Sequence, residues 1–264
     1  MSGDSRIPDH SVSGDGPVTI YLLHGAFGAK EYWRSQIAAL AGAGYRVVAW
    51  DAPGYGISPL PTPYSANVAA RALGRLLDVT AGPRNVLLGH SMGGMIAQRA
   101  YDFFPDRIHG LILSATSAAF GNPGGEWQKK FVADRVAPLD AGKTIPEYAP
   151  TMLRRMMAPA ASGENVDLLI SIVSAMREET FRAAIAAISE FDARAVLPKI
   201  SVPVLCIAGE HDATAPAEVM AKMAGKIRGA QFVTMSGVGH FPWAERAQEF
   251  NTLVLDFLKA HFSQ

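Results

Sequence analysis

Short apolar runs alternate with stretches of helical periodicity along most of the chain. The apolar runs lie at residues 18–23, 45–50, 86–88, 108–114, 202–208 and 230–235. The run at 45–50 shows no alternation of polar and apolar positions, as expected for a strand that is covered on both faces. Because predicted strands and helices alternate along the chain, we expect an α/β domain with a mostly parallel central sheet flanked by helices. Ligands of such sheets bind at the carboxyl ends of the strands.

The hydrophobic pattern changes between residues 118 and 195, where apolar residues recur only at helical spacing. Candidate helices lie at 126–136, 145–157, 166–176 and 179–190, and the expected breaks are Pro138, Pro159 and Gly163. We therefore predict a core formed by residues 1–117 and 196–264, into which a helical cap, or lid, is inserted at 118–195. Met152 and Met156 of this cap are candidates for the lining of an adaptable apolar pocket, with ordinary helix packing as the alternative.

Length and composition limit the partners of the chain. It has 264 residues, of which 49% are hydrophobic, enough for a sizeable core without metal or disulfide support. Lys and Arg together number 24, as do Asp and Glu, and no run of like charges stands out. This balance argues against nucleic acid or an anionic membrane as a partner and favours a small, neutral or weakly charged molecule. Nothing in the sequence indicates an oligomeric state.

The compartment is predicted from the amino terminus and from a single cysteine. Residues 1–16 are rich in Ser, Gly and Asp, which predicts a frayed tail or a short edge hairpin and gives no signal-peptide core. Apolar runs elsewhere stay short of the roughly 20 residues that a membrane helix needs. Cys206 lies in the run at 202–208 and has no second cysteine to pair with, so we expect a buried thiol in a reducing compartment. These features predict a cytoplasmic protein.

The segment at 89–94, Gly-His-Ser-Met-Gly-Gly, lies between a predicted strand and a predicted helix. Its Gly-x-Ser-x-Gly pattern is typical of a nucleophile elbow, in which a serine occupies a strained turn that only small neighbours permit. Gly89 and Gly93 supply that room. The motif is short enough to arise by chance, but the strand before it and the helix after it are the context that it requires. Ser91 is therefore the candidate nucleophile.

A serine hydroxyl attacks efficiently only when a base accepts its proton and a carboxylate orients that base. After an elbow of this type, the acid and then the histidine follow along the chain, on loops after late strands. Asp212 follows the run at 202–208, and His240 follows the last predicted strand. Order and context together predict Ser91, Asp212 and His240 as a catalytic triad.

The acid and the base both have competitors in the sequence. Glu210 and Asp192 are the alternative acids, but Asp212 lies on the loop directly after a core strand. Three other histidines also lie at strand ends, namely His24, His90 and His211. Of the histidines, His240 alone lies on the loop after the last strand, where the order of residues requires the base.

With these motifs in place, the chain resembles the α/β-hydrolase superfamily, over residues from about 18 to 262. The segments that carry the resemblance are 24–28 (HGAFG), 51–56 (DAPGYG), 89–94 (GHSMGG) and 239–243 (GHFPW). They are similar to those of enol-lactonases and of meta-cleavage-product hydrolases, which act on small carboxylic metabolites. Phe27 stands where a glycine is usual, and Phe241 where a tryptophan is usual. Both departures concern the shape of the substrate site and leave the predicted triad untouched.

The resemblance implies an oxyanion hole formed by the backbone N–H groups of Ala26 and Met92. It also suggests the Phe27 ring as a wall of the substrate pocket. Further candidates for the pocket, with packing as the alternative, are Trp33, Phe241 and Trp243. The expected substrate is a small apolar or aromatic-derived molecule. Neither a cofactor nor a metal is expected, because the sequence shows no dinucleotide-binding fingerprint and no metal-ligand spacing.

These predictions lead to a serine hydrolase that cleaves a small carboxylic ester, a lactone or an activated C–C bond, by attack of Ser91 or of water activated by His240. A cofactor-independent oxygenase or a perhydrolase-type haloperoxidase is the first alternative, because superfamily members of those kinds keep the same residues. A non-catalytic ligand receptor is the second, since one fold can carry unrelated functions.

Overall fold

The computed structural model describes residues 6–122 and 124–263. Within these residues, seven strands form one sheet in the spatial order β1-β3-β2-β4-β5-β6-β7. The strands are β1 (His10–Ser13), β2 (Val18–Leu23), β3 (Arg46–Trp50), β4 (Arg84–His90), β5 (Gly110–Ser114), β6 (Val204–Gly209) and β7 (Gln231–Met235). The edge strand β1 is antiparallel to β3, and the other neighbouring strands are parallel. The predicted, mostly parallel sheet is therefore confirmed.

Ten α-helices connect and flank these strands in the described part of the chain. They are α1 (Arg34–Gly42), α2 (Ala66–Thr80), α3 (Met92–Phe103), α4 (Glu126–Asp140), α5 (Ile145–Arg154), α6 (Glu164–Ser174), α7 (Glu178–Ser189), α8 (Ala217–Ala224), α9 (Pro242–Glu245) and α10 (Ala247–Phe262). None of the described helices is both long and apolar enough to cross a membrane.

The middle of the sheet is fully enclosed. Every residue of β2, β5 and β6 is buried, which requires cover on both faces because successive side chains point to opposite sides of a sheet. Helix α2 packs against α3, and α1 packs against α10. The last helix buries Phe250, Val254 and Leu258, which are spaced four residues apart and so form one apolar stripe.

Four consecutive helices, α4 to α7, lie between β5 and β6, in the segment where the sequence predicts helices only. The prediction that Pro138 ends the first of them is wrong, because α4 continues to Asp140. A proline removes one backbone N–H, which at this position would bond to the carbonyl of Asp134. Asp134 is exposed, so solvent can replace that bond, and only the last turn of the helix is affected.

The parallel strands bring their carboxyl ends to one edge of the sheet. The loop after β2 carries Ala26, and the turn after β4 carries Ser91. The loops after β6 and β7 carry Asp212 and His240. Residues that are more than a hundred positions apart in sequence are therefore placed at the same edge.

Candidate active site

Ser91 occupies the sharp turn between β4 and α3. Its φ of 52° and ψ of −118° lie outside the regions that most residues adopt, so the surrounding structure must hold this conformation. The Ser91 N–H donates to the carbonyl of Ser114 at 2.9 Å, and its carbonyl accepts from the Thr116 hydroxyl at 2.7 Å. Glycine is required at 93, because a Cβ there would lie 2.0 Å from the carbonyl oxygen of Leu23. The strand, turn and helix expected around this serine are all present.

Three side chains from separate loops meet beside this turn. Nε2 of His240 lies 3.1 Å from Oγ of Ser91, and Nδ1 of the same ring lies 2.8 Å from Oδ2 of Asp212. The other carboxylate oxygen of Asp212 accepts the N–H groups of Thr214 at 2.8 Å and Ala215 at 3.0 Å, which fixes its orientation. Asp212 and His240 are both buried. The arrangement can pass a proton from a hydroxyl to an imidazole whose opposite nitrogen is held by a carboxylate.

The two alternative acids have partners of their own. Glu210 accepts the Ser236 hydroxyl and the Gly237 N–H, both at 2.8 Å, on the exposed side of its loop. Asp192 pairs with Arg194 at the protein surface. Among the described residues, Asp212 is therefore the one carboxylate that contacts His240.

His24 and His90 are buried near the site but have other roles. Nδ1 of His24 donates to the Gly25 carbonyl at 2.8 Å, and its Nε2 accepts the Ala52 N–H at 3.0 Å, which joins the loops after β2 and β3. The His90 ring lies 5.1 Å from the His240 ring. Burial, and then the neighbouring His240, lower the pKa of His90 well below its usual value. A neutral His90 does not oppose the positive charge that His240 gains with a proton.

The loop after β2 passes close to the serine. A Cβ placed on Gly25 would lie 3.2 Å from the Cβ of Ser91. The Gly25 N–H donates to the Tyr32 hydroxyl at 2.7 Å, which fixes the path of the loop. The backbone N–H groups of Ala26 and of Met92, at the first position of α3, have no hydrogen-bond partner in the described part of the chain. Both amides are free to bind an oxygen atom.

A cavity of about 310 Å³ opens beside Ser91 and His240. This volume is at the low end of the roughly 300–1,000 Å³ range of small-molecule sites. Part of its wall is aromatic and comes from Phe120, Trp127 and Phe131. The three rings contact one another at centroid distances of 5.2 to 5.8 Å. Another part of the wall comes from the loop after β6 and from α8.

The sequence matches a family model described as the alpha/beta hydrolase family over residues 20–253. The chain belongs to the α/β-hydrolase family. The match begins in β2 and ends in α10, so it includes all four loops described above. The fold predicted from the motifs is thereby confirmed.

Relatives of this α/β hydrolase include named esterases and hydrolases. A pimeloyl-[acyl-carrier protein] methyl ester esterase from Neisseria meningitidis is 27% identical over 91% of this chain and 93% of its own. A 2-hydroxy-6-oxononadienedioate/2-hydroxy-6-oxononatrienedioate hydrolase from Paraburkholderia phymatum is 30% identical over 98% of this chain and 93% of its own. The enol-lactonase from Burkholderia xenovorans superposes with a TM-score of 0.79 at 27% identity over 95% of each chain. These similarities confirm the resemblance and identify the chain as a hydrolase.

The side chains predicted for the substrate pocket lie outside the wall of the cavity beside the serine. They are Phe27, Trp33, Met152, Met156, Phe241 and Trp243. Met152 and Met156 instead line a separate cavity of about 770 Å³ between α4 and α5 of this α/β hydrolase. The reason is that Met152 of α5 and Met156, two residues after the end of α5, face α4, whereas Phe131 of α4 faces the cavity beside the serine.

The four aromatic candidates are buried in packing contacts. Trp243 stacks on Tyr32 at 3.9 Å between ring centroids, and Trp33 is also fully buried against Tyr32. These contacts position Tyr32, whose hydroxyl bonds to the loop after β2. The Phe27 ring packs against Phe181 of α7. The Phe241 ring lies 5.0 Å from the His240 ring and so limits the space around the imidazole.

The aromatic wall carries no motif, which is why sequence reasoning missed it. A weak signal exists in α4, where Trp127 and Phe131 are four residues apart and therefore share one face of the helix. Trp127 is 50% exposed, so one part of its ring lines the cavity while another part remains accessible to solvent.

Proposed function

We propose that this α/β hydrolase cleaves small carboxylic esters through an acyl-serine intermediate, with Ser91 as nucleophile, His240 as base and Asp212 as the acid that orients the base. One observation carries the proposal. A continuous chain of hydrogen bonds, here called the relay, runs from Ser91 Oγ through both nitrogens of His240 to the Asp212 carboxylate, with contacts of 3.1 and 2.8 Å. The esterase name of the Neisseria meningitidis relative supports the same chemistry. A lactone is a cyclic ester and falls under the same reaction.

In the first step, Ser91 Oγ attacks the ester carbonyl carbon while its proton moves to Nε2 of His240. The carboxylate of Asp212 holds the Nδ1–H and stabilises the imidazolium. Collapse of the tetrahedral intermediate releases the alcohol, which takes the proton from His240. Water then attacks the acyl-serine with His240 as base, and the acid product leaves Ser91 with its hydroxyl restored.

The negative oxygen of the tetrahedral intermediate needs donors that are already in place. We assign this role to the N–H groups of Ala26 and Met92, which have no partner among the described residues and lie on the two segments that flank Ser91. The first turn of α3 adds the positive end of a helix dipole at the same point. Loss of one such donor typically costs about 3 kcal/mol of transition-state stabilisation.

Residues 118–195 act, in this proposal, as a cap that shapes the substrate site and supplies no member of the relay. Three aromatic residues of the segment line the cavity beside the serine, whereas the relay comes from loops of the sheet. The cap is anchored through α7, whose Thr180 hydroxyl donates to the Gly54 carbonyl at 2.6 Å. Arg177 donates to the same carbonyl, also at 2.6 Å.

An active-site-directed fluorophosphonate tests the nucleophile. The reagent reacts with a serine that a base has activated, so it should label Ser91, seen as a mass shift on the tryptic peptide 85–99. Ser91→Ala should take up no label and lose on the order of 10⁶ in kcat on esters. Ser117→Ala is the matched control, because Ser117 lines the same cavity but donates to the Ala119 carbonyl. This control should label like the wild type.

Isotope and oxygen measurements separate ester hydrolysis from its alternatives. Turnover should be equal with and without dioxygen, and labelled oxygen from water should enter the acid product. Turnover that requires dioxygen would favour the cofactor-independent oxygenase. Retention of more than about a tenth of the activity by Ser91→Ala would contradict the acyl-serine mechanism.

A further inference from the structure

We infer that the cavity beside Ser91 selects compact, uncharged esters and rejects esters whose acyl chain ends in a carboxylate. The inference rests on the proposed function, and it concerns the wall of the cavity. Of the sixteen described residues that line the cavity, His240 is the only one with an ionisable side chain. The others are apolar, aromatic, hydroxyl or amide side chains.

The apolar part of the wall disfavours a charged group. Phe120, Trp127 and Phe131 form a continuous aromatic surface, and the apolar side chains of Ile188 and Met95 line the same cavity. A carboxylate against this surface loses its hydration and gains no cation in exchange, whereas an alkyl or aryl group gains by leaving water. The wall therefore discriminates between substrates of similar size that differ in charge.

Three of the polar side chains in the wall already donate a hydrogen bond to the main chain. The Thr116 hydroxyl donates to the carbonyl of Ser91 at 2.7 Å, and the Ser117 hydroxyl donates to the carbonyl of Ala119 at 3.1 Å. The side-chain amide of Gln128 donates to a main-chain carbonyl at 3.0 Å. A bound carboxylate would have to break the Thr116 and Ser117 bonds to use those hydroxyls, and the side-chain donors that remain in the wall are neutral and cannot replace a cation.

The buried cation next to the aromatic wall, Arg135, lines another cavity. The Arg135 guanidinium stacks on the Phe131 ring, 3.6 Å from its centroid, but lines the separate cavity between α4 and α5. One of its terminal nitrogens donates to the Phe131 carbonyl at 3.0 Å, and the other lies 3.9 Å from the Met156 sulfur. These contacts hold the Arg135 charge in the cavity between α4 and α5, so it is not part of the wall of the cavity beside Ser91.

Matched esters test the inference directly. Ethyl hexanoate and monoethyl adipate share the same alcohol and the same acyl length, and differ in a terminal methyl group against a carboxylate. At neutral pH we expect kcat/KM for ethyl hexanoate to exceed that for monoethyl adipate by about 100-fold or more. Diethyl adipate, which has the extra atoms but no charge, should stay within about tenfold of ethyl hexanoate. Equal kcat/KM values for the two matched esters would overturn the inference.

A charge introduced into the wall should change the selectivity. Gln128→Arg should raise the ratio of kcat/KM for monoethyl adipate over ethyl hexanoate by about tenfold or more. Gln128→Met is the control, because it loses the same bond to the Phe120 carbonyl without adding a charge, and it should not raise the ratio. A ratio that rises equally in both variants would show that the wall acts by shape and would overturn the role of charge.

Binding to Ser91→Ala separates this inference from the proposed function. In this variant, calorimetry should show ethyl hexanoate binding about 30-fold or more tightly than monoethyl adipate. Equal affinities, or binding of neither ester, would overturn the inference whatever the turnover. Preferential binding of the uncharged ester without any ester turnover by the wild type would overturn the proposed function and leave the charge selectivity standing.

Discussion

The backbone N–H of His240 donates to the carbonyl oxygen of Met156 at 2.8 Å, so the candidate base is bonded directly to the segment between β5 and β6, at the turn after α5. The two segments approach closely, since a Cβ on Gly239 would lie 2.6 Å from the Met156 carbonyl oxygen. A glycine is therefore needed before the histidine. The position of the imidazole depends on a segment that lies outside the sheet, and not only on the loop after β7.

The Glu245 carboxylate also links the His240 loop to the segment after α5. One of its oxygens accepts the N–H of Gly239 at 2.9 Å and that of Ala158 at 2.8 Å, and the other accepts the N–H of Phe241 at 2.9 Å. These bonds hold the residues on both sides of His240 and reach the segment after α5. Hydrogen bonds to a charged acceptor are about twice as strong as neutral ones, so this single side chain can fix the loop.

Glu245→Gln should lower kcat on p-nitrophenyl acetate by about tenfold while KM changes by less than about twofold, because the amide loses one acceptor and directs a donor at backbone N–H groups. Steady-state kinetics, with active sites counted by fluorophosphonate, measures this effect per folded molecule. Glu249→Gln makes the same charge change on the exposed side of α10 and should leave both constants within about twofold. An unchanged kcat per active site in Glu245→Gln would mean that the carboxylate serves stability alone.

The central sheet could be predicted because its buried strands are short apolar runs that end in turn-forming residues. The run at 18–23 coincides with β2, and β6 begins inside the run at 202–208 and ends one residue after it, at Gly209. The edge strand β1 (His10–Ser13) lies in the segment predicted as a frayed tail or a short edge hairpin, and it pairs with β3. Its bounds could not be identified, since a strand with one neighbour needs no apolar run, and its sequence is mostly polar. Residues 1–5 of the predicted tail lie outside the described residues.

The relay and the cavity wall differ in how far the sequence reveals them. Ser91, Asp212 and His240 lie on loops whose order along the chain is informative, so their meeting could be predicted before any coordinates were known. The wall depends on which way each cap helix faces. Helical periodicity shows that α4 and α5 each have an apolar face, but it does not show that Phe131 faces the serine while Met152 faces the neighbouring helix.

Trp127→Ala should lower kcat/KM for p-nitrophenyl hexanoate by about tenfold relative to p-nitrophenyl acetate, because the longer acyl chain loses apolar contact that the acetyl group never makes. The measurement is the ratio of kcat/KM across acyl lengths. Met152→Ala is the comparison, since the sequence pattern favours Met152 for this role but the side chain lines the other cavity. An acyl-length preference that shifts with Met152→Ala and not with Trp127→Ala would place the acyl chain in that other cavity.

Asp212→Asn should reduce kcat by about 10⁴ near neutral pH with little change in KM, because the amide can hold the imidazole of His240 in the wrong tautomer. His240→Ala should be as severe as loss of the nucleophile. Single-turnover measurement of the acylation burst distinguishes this chemical defect from loss of binding. Glu210→Gln, which removes the charge of the nearby alternative acid, should stay within about twofold of the wild type.

Two buried histidines should make the stability of the protein depend on pH. Burial lowers the pKa of both His24 and His90, and for His90 the neighbouring His240 lowers it further. In the unfolded chain a histidine has a pKa of about 6.5, so below that pH the unfolded state binds more protons than the folded state. The free energy of unfolding should therefore fall as pH decreases below about 6.5, by up to about 1.4 kcal/mol per pH unit for each such histidine.

Urea unfolding between about pH 7.5 and pH 5 measures this slope under conditions where a two-state transition can be verified. His90→Gln lacks one of the two groups, so its slope should be shallower than that of the wild type by up to about 1.4 kcal/mol per pH unit, whatever its absolute stability. His261→Gln, on the exposed end of α10, should keep the wild-type slope. Parallel slopes for His90→Gln and the wild type would mean that the folded protein accommodates a protonated His90. In that case two positive rings would face each other at 5.1 Å whenever His240 accepts the serine proton, and the relay would be weakest where His90 is charged.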